Sequence, residues 1–355
     1  MSDALDAAGQ AWAPFVLVAG LLLLGALVAD DGVFAAAGGR LDRLATSDGG
    51  LLLSCLALVA VTTAVLNLDT AVVFLTPVVV LAARRRRADE LPFLLGTLFM
   101  ANASSLFLPG SNLTNLLVLG DAPGLQQGFA ATMLPAAAAA TLVTGGLTLA
   151  IAGWRSRTLA RPSPGAAAPP ASEPPLRGTI ALAAAVLAAV AMVVMPDPAL
   201  PVLAVALVAA AVRLLQRRTT PGRLWQAVNP AVLLGLFAAC VALGTLARAW
   251  TGPAALLRTA DAPLTAAIGT LASVAMNNLP AAVLLTSRPV AHPDALLVGL
   301  NVGPNLAVTG SLAAFLWLTA ARSVGARPRL RDISRFGVVL APAAIAAALL
   351  ALSVL

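Results

Sequence analysis

Twice in this chain a long apolar run is broken at its centre by a tight polar knot, and each time a second interrupted apolar run follows. The first knot is Asn67-Leu68-Asp69-Thr70, followed by Asn102-Ala103-Ser104-Ser105 and Pro109-Gly110-Ser111-Asn112. The second is Asn277-Asn278-Leu279-Pro280, followed by Asn301-Val302-Gly303-Pro304-Asn305 and Thr309-Gly310-Ser311. Hydrocarbon offers no partner to a backbone N–H or C=O, so helix-breaking polar residues persist at mid-membrane depth only where protein buries them or where they line a cavity. Corresponding breaks in two halves of a chain are the mark of a transporter binding site.

The membrane assignment behind that argument rests on composition. Of 355 residues, 60% are hydrophobic and only 10% charged, and several apolar runs reach the 18 or so residues that cross a bilayer. The formal charge of +7 is carried without a single Lys. Because the arginines fall between apolar runs, they read as orientation signals rather than as a nucleic-acid footprint. Asp3 and Asp6 precede the first run with no Arg, so the positive region of a cleaved signal is missing and residues 12–29 are expected to stay as a span. Cys55 and Cys240 lie inside apolar runs, outside the knots and without metal-ligand spacing. They read as small packing residues, with contact to a thiol-seeking substrate as the alternative.

A hydrocarbon core of about 30 Å needs roughly 20 helical residues. That measure gives about eight crossings, at 12–29, 92–119 (broken), 128–153, 179–195, 199–215, 229–247, 294–320 (broken) and 336–354. The pairs 51–66 with 70–83 and 263–276 with 280–290 have arms short for a crossing and a knot between them, so they read as re-entrant hairpins. With the N-terminus outside, the inner loops collect Arg40 and Arg43, Arg84 to Arg87, Arg155, Arg157, Arg161 and Arg177, Arg213, Arg217, Arg218 and Arg223, and Arg322, Arg327, Arg329, Arg331 and Arg335. Only Arg248, Arg258 and Arg288 of the 22 fall on the other side. The expected fold is therefore an all-α polytopic membrane protein of inverted-topology repeats, with two re-entrant hairpins, two broken helices and both termini outside. Its first repeat covers 1–153, a Pro- and Ala-rich cytoplasmic linker 154–178, a connecting helix pair 179–221, and the second repeat 222–355. Segments 33–46 and 252–261 are expected to lie in the interface.

Asp69 is the one carboxylate this reading places deep in the membrane, where an ionised group is costly unless it is paired or takes up a proton. It is a candidate carrier of a coupling proton, the alternative being a cap on the second hairpin arm. Asn67, Thr70, Asn102, Ser104, Gly110, Ser111, Asn112, Asn277, Asn278, Asn301, Asn305, Thr309, Gly310 and Ser311 are the candidate substrate-binding residues. Their amides and hydroxyls supply donors and acceptors without net charge, and half-helix ends at the breaks add fixed dipoles. No knot contains Arg, which suits a small hydroxyl-rich solute better than a multivalent anion. A sodium ion held by Asn, Ser and unwound carbonyls would reverse that preference. No phosphate loop, nucleophile triad or spaced His/Cys set is present, and the sole His292 precedes Pro293 in an outer loop. No enzymatic activity, cofactor, metal or nucleic-acid partner is expected. The driving energy must come from an ion gradient or a separate subunit.

These residues resemble the bacterial arsenite efflux permease family, the membrane subunit of arsenical pumps, within the ion-transporter and citrate-transporter-like superfamily. The resemblance is carried by Asn67-Leu68-Asp69-Thr70 with Leu75-Thr76-Pro77, by Ala101-Asn102-Ala103-Ser104-Ser105 with Ser111-Asn112-Leu113-Thr114-Asn115-Leu116, by Met276-Asn277-Asn278-Leu279-Pro280, and by Gly303-Pro304-Asn305 through Thr309-Gly310-Ser311 to Trp317. It covers both halves from about residue 15 onward. It implies plasma-membrane export of arsenite and antimonite driven by proton influx, with or without a cytoplasmic ATPase, by a transport domain that moves elevator-like against a scaffold, often in a homodimer. Two positions depart from its pattern: Asn102 stands where many members carry an acid, and Asn305 where they carry Lys after Gly-Pro. Two alternatives accompany the arsenite reading. One is a sodium- or proton-coupled carrier of a small organic or inorganic anion; the other is a membrane docking subunit for a transport ATPase.

Overall fold

In a computed structural model, which describes residues 2–120, 123–158, 179–195, 197–250 and 252–354, every regular element among the described residues is helical. The first half contains α1 (Ser2–Asp30), α2 (Val33–Leu44), α3 (Asp48–Val65), α4 (Leu68–Arg85), α5 (Glu90–Ser104), α6 (Leu113–Gly120) and α7 (Pro123–Thr158). After α8 (Ile180–Val194), α9 (Ala199–Leu215) and α10 (Pro221–Val228), the second half repeats the order with α11 (Pro230–Ala249), α12 (Gly252–Leu257), α13 (Ala262–Met276), α14 (Asn278–Leu285), α15 (Pro293–Val302), α16 (Leu312–Ser323) and α17 (Leu330–Leu352). Span, short helix, hairpin, broken helix and span thus occur twice. Most of the expected linker, 159–178, lies outside the described residues.

Local chemistry explains where these helices begin. Ser47 Oγ accepts the Gly50 N–H at 3.0 Å, Asn67 Oδ1 the Thr70 N–H at 2.7 Å and Asp261 Oδ1 the Leu264 N–H at 2.9 Å. Each satisfies one of the donors orphaned by a helix start. Among the described residues, five stretches are long and apolar enough to cross a membrane: Trp12–Asp30, Asp48–Val65, Gly128–Thr158, Pro221–Ala247 and Leu330–Leu352. The second of these is α3, so the first arm of the first hairpin reaches the length of a span, where the sequence reading expected a shorter arm. Leu142, Val208, Leu271 and Val339 are more than half exposed. On a soluble protein such a band would be a liability, and in a bilayer it is the lipid-facing surface.

The halves interlock. α1 packs on α11 and α7 on α17, while α4 lies against α16 and α14 against α6. Each hairpin's second arm therefore rests on the far half of the other repeat's broken helix. Polar cross-links gather the arginine-bearing loops at one end of the molecule. Arg84 pairs with Glu90 at 2.7 Å and donates to the Val324 carbonyl, Arg86 pairs with Asp42 at 2.8 Å, and Arg155 pairs with Asp89. At the foot of α1, buried Asp31 pairs with buried Arg213 of α9. Removing either partner would strand a buried charge, at a cost of about 3–5 kcal/mol.

Candidate functional site

The knot residues fold into two adjoining structures. The first is a sealed seam between the broken helices. Asn301, fully buried on α15, satisfies every hydrogen-bonding site of its amide: Nδ2 donates to Asn115 Oδ1 and to the Leu297 carbonyl, both at 2.8 Å, and Oδ1 accepts from Asn112 Nδ2 at 2.7 Å and Ser105 Oγ at 2.6 Å. Asn102 Nδ2 donates to Asn305 Oδ1 at 2.8 Å, and Asn305 Nδ2 reaches the Phe99 carbonyl at 3.3 Å. Asn102 and Asn305 are thus direct partners, a neutral amide pair that bridges the two broken helices. Gly310 and Gly337 let the second break close up. A Cβ at Gly310 would stand 2.5 Å from Pro304 Cα, and one at Gly337 only 1.9 Å from the Asn305 carbonyl oxygen.

The second structure is a cavity of about 360 Å³ beside the seam. It is lined by Asp69 and Thr70 from the first hairpin tip, Asn112 and Thr114 from the first break, Asn277 and Asn278 from the second hairpin tip, and Ser311 from the second break. α1, α10, α11 and α16 close it with apolar side chains such as Val18, Leu22, Leu236 and Leu316. Asn67, not Asp69, caps α4 through the Thr70 N–H, so the carboxylate is free of the capping role. Asp69 sits in the first turn of α4, where the positive end of the helix dipole favours a carboxylate. No hydrogen bond or ion pair reaches it among the described residues.

Asn277 holds φ 78 and ψ 146, a backbone region that a non-Gly residue enters at a cost of about 1–3 kcal/mol. The strain turns the chain between α13 and α14, and the Asn277 side chain accepts the Leu279 N–H at 3.3 Å. Thr70, Thr114 and Ser311 are buried in the cavity wall, and their hydroxyls have no hydrogen-bond partner among the described residues. The hydroxyls of Thr63, Thr141, Thr144 and Thr265 are unpaired too, away from the cavity; those in the cavity wall are placed where a ligand able to bond them would recover their desolvation cost.

Of the fifteen residues named from sequence, Asp69, Thr70, Asn112, Asn277, Asn278 and Ser311 line this cavity. Asn102, Asn301 and Asn305 belong to the seam. Asn67 is the cap, and Ser104 Oγ bonds back to the Met100 carbonyl within its own helix at 2.6 Å. Ser111 Oγ ties the break to the first hairpin through the Ala64 carbonyl at 3.2 Å, and Thr309 Oγ1 does the same for the second hairpin through the Val274 carbonyl at 2.8 Å. Gly110 and Gly310 are backbone positions of the breaks. Sequence reasoning missed Thr114 and, from outside every knot, Arg223 on α10. Arg223 lines the cavity while pairing with Asp30 at 3.1 Å. Cys55 and Cys240 are buried in the apolar core, and neither lines the cavity. His292 stands at the start of α15, where its carbonyl accepts the Leu296 N–H at 3.0 Å.

Comparison with known proteins adds two findings. A family model described as a citrate transporter matches residues 3–321. A solved structure, that of the YdaH transporter of Alcanivorax borkumensis, whose topology is described as unusual, superposes with a TM-score of 0.53. At 18% identity it covers 98% of this chain and 86% of its own, and it speaks for the fold alone. No curated protein matches the chain in sequence.

Proposed function

Because the chain belongs to the citrate transporter family, and is thus a multi-pass membrane transporter rather than an enzyme, we propose that it exports arsenite and antimonite across the plasma membrane against an inward flow of protons. The observation that carries this reading is the charge pattern of the cavity. One unpaired carboxylate, Asp69, faces amides and hydroxyls, and the one guanidinium in the described lining, Arg223, is already paired with Asp30. At neutral pH arsenite is mostly the uncharged trihydroxide, each of whose hydroxyls both donates and accepts. Thr70, Thr114 and Ser311 offer unpaired hydroxyls, Asn278 an amide, and no charge has to be neutralised for the solute to enter. Asp69 carries the coupling proton: protonated it tolerates the closed cavity, ionised it favours the state open to water. The hairpin tips and breaks move together against the remaining spans, with the arginine-rich end in the cytoplasm and both termini outside.

A second reading keeps the fold and changes the cargo to a small carboxylate anion carried with sodium or protons. Two observations favour it. The matching family model is described as a citrate transporter, and Arg223, half-exposed at the cavity, would meet a carboxylate if it let go of Asp30. The two readings separate in liposomes containing the purified protein. Proton-driven arsenite flux that disappears in Asp69→Asn supports the first. Absence of arsenite flux, with citrate or another carboxylate moving on a sodium or proton gradient and slowed by Arg223→Gln, overturns it in favour of the second. No flux of any kind by the protein alone would return the ATPase-docking alternative.

A further inference from the structure

Away from the central cavity, at the arginine-rich end, a second hollow of about 410 Å³ is lined by Asp89, Glu90, Arg155, Arg327, Arg329, Arg331, Asp332 and Arg335, where the loop between α16 and α17 meets the start of α5 and the end of α7. Its charges do not cancel. Asp89 is taken by Arg155 and Glu90 by Arg84. Arg327, Arg329, Arg331 and Arg335 have no ion pair or side-chain hydrogen bond among the described residues, and only Asp332 stands against them. The lining groups these cations: Arg327 and Arg329 lie in the non-helical stretch that leads into α17, with Arg329 extended at its N-cap, while 331 and 335 lie one helical turn apart on α17. Arg329 at the N-cap and Arg331 in the first turn of α17 sit where the helix dipole disfavours a cation. Four like charges around one hollow, of which only Arg335 is eased by lying 5.7 Å over the Phe336 ring, is a costly arrangement that an anion would relieve.

The depth of the hollow is marked by Trp154. It directly precedes Arg155, is more than half exposed, and belongs to the residue type that marks the headgroup level of a bilayer. Forked guanidiniums in a pocket at that level suit the oxygens of a phosphate group.

We propose that this hollow is a binding site for a phosphate ester, presented by an anionic lipid of the leaflet it faces or by a soluble phosphate. It is distinct from the transport cavity and independent of what that cavity carries. The test uses the full chain in nanodiscs. Discs of phosphatidylcholine doped with a fluorescent phosphatidylglycerol probe the lipid source, and phosphatidylcholine discs titrated with glycerol 3-phosphate or inorganic phosphate probe the soluble one. Arg327→Gln/Arg329→Gln/Arg331→Gln is compared with Arg40→Gln/Arg87→Gln/Arg217→Gln, which removes equal charge elsewhere at the same end. The expected result is enrichment of one probe at the protein, weakened about tenfold or more in the first variant and little changed in the second. A triple Lys replacement at 327, 329 and 331 should restore part of the binding and also reports on folding. Which probe binds identifies the source. Binding of neither probe, or equal loss in both Gln variants, overturns the proposal, the latter by reducing the site to diffuse surface charge.

Discussion

The seam and the cavity are built from the same few residue types, a few ångströms of chain apart, and they behave as opposites. In the seam Asn301 uses all four of its hydrogen-bonding sites within the protein, and Asn102 and Asn305 hold each other, with Asn102 Oδ1 alone among these amide atoms left unpaired within the described residues. In the cavity Asp69, Thr70, Thr114 and Ser311 are left without partners among the described residues. A polar group satisfied inside the protein strengthens one arrangement of the helices, whereas an unsatisfied one costs stability until something binds it. Unpaired hydroxyls also occur away from the cavity, at Thr63, Thr141, Thr144 and Thr265, so neither polarity nor a missing partner alone points to a ligand; the two have to coincide with an open space.

The contrast can be broken in order of expected effect. Asp69→Asn should leave unfolding in detergent unchanged and reduce proton-driven flux to the level of protein-free liposomes; retained coupling would remove Asp69 from the cavity's function. Asn301→Leu should do the reverse. By stranding Asn112, Asn115 and Ser105 it should cost about 3–5 kcal/mol, read as a lowered midpoint in thermal unfolding, with flux per folded molecule less affected. A double-mutant cycle on Asn102→Leu and Asn305→Leu should give a favourable coupling of about 1–2 kcal/mol, the double variant being less damaged than the sum of the singles; additivity would mean that the amide pair contributes nothing. The smallest effect is expected from Ser311→Ala and Thr70→Val. Stability should stay within about 0.5 kcal/mol or rise, since each deletes an unpaired hydroxyl, while KM for the transported solute climbs severalfold. A clear loss of stability would assign these hydroxyls to the seam.

Much of the fold could be read from residue order alone. Asn67-Leu68-Asp69-Thr70 and Asn277-Asn278-Leu279-Pro280 do stand at hairpin tips, and the breaks at Pro109-Gly110 and Gly303-Pro304 do interrupt helices, because few other backbone conformations accept those residues in an apolar setting. The arginine-bearing loops do meet at one end, as Arg84 at the Val324 carbonyl and Arg155 at Asp89 demonstrate. The division of labour among the asparagines was not legible. Asn102, Asn278 and Asn301 carry the same amide, and only the packing of the broken helices and hairpin tips decides which meets another amide and which faces the cavity. Arg223 escaped for a different reason: it lies in a short amphipathic helix that looks like a surface loop, and only the packing of α10 beside α1 brings it to the cavity. The length of α3 was also underestimated, since Asp48-Gly49-Gly50 reads as a turn until Ser47 caps the helix that starts there.

Among the described residues, Asn112 is the one side chain that belongs to both structures. Its Oδ1 accepts the Thr114 N–H at 3.0 Å, its Nδ2 is committed to Asn301, and its body lines the cavity. A solute that draws on that amide must compete with the grip of one half of the protein on the other. Occupancy and the tightness of the seam are then reciprocal quantities: whatever loosens the halves admits the solute more readily, and the solute, once seated, loosens the halves by the same free energy. A single shared amide would let the protein sense its cargo without any residue set aside for the purpose.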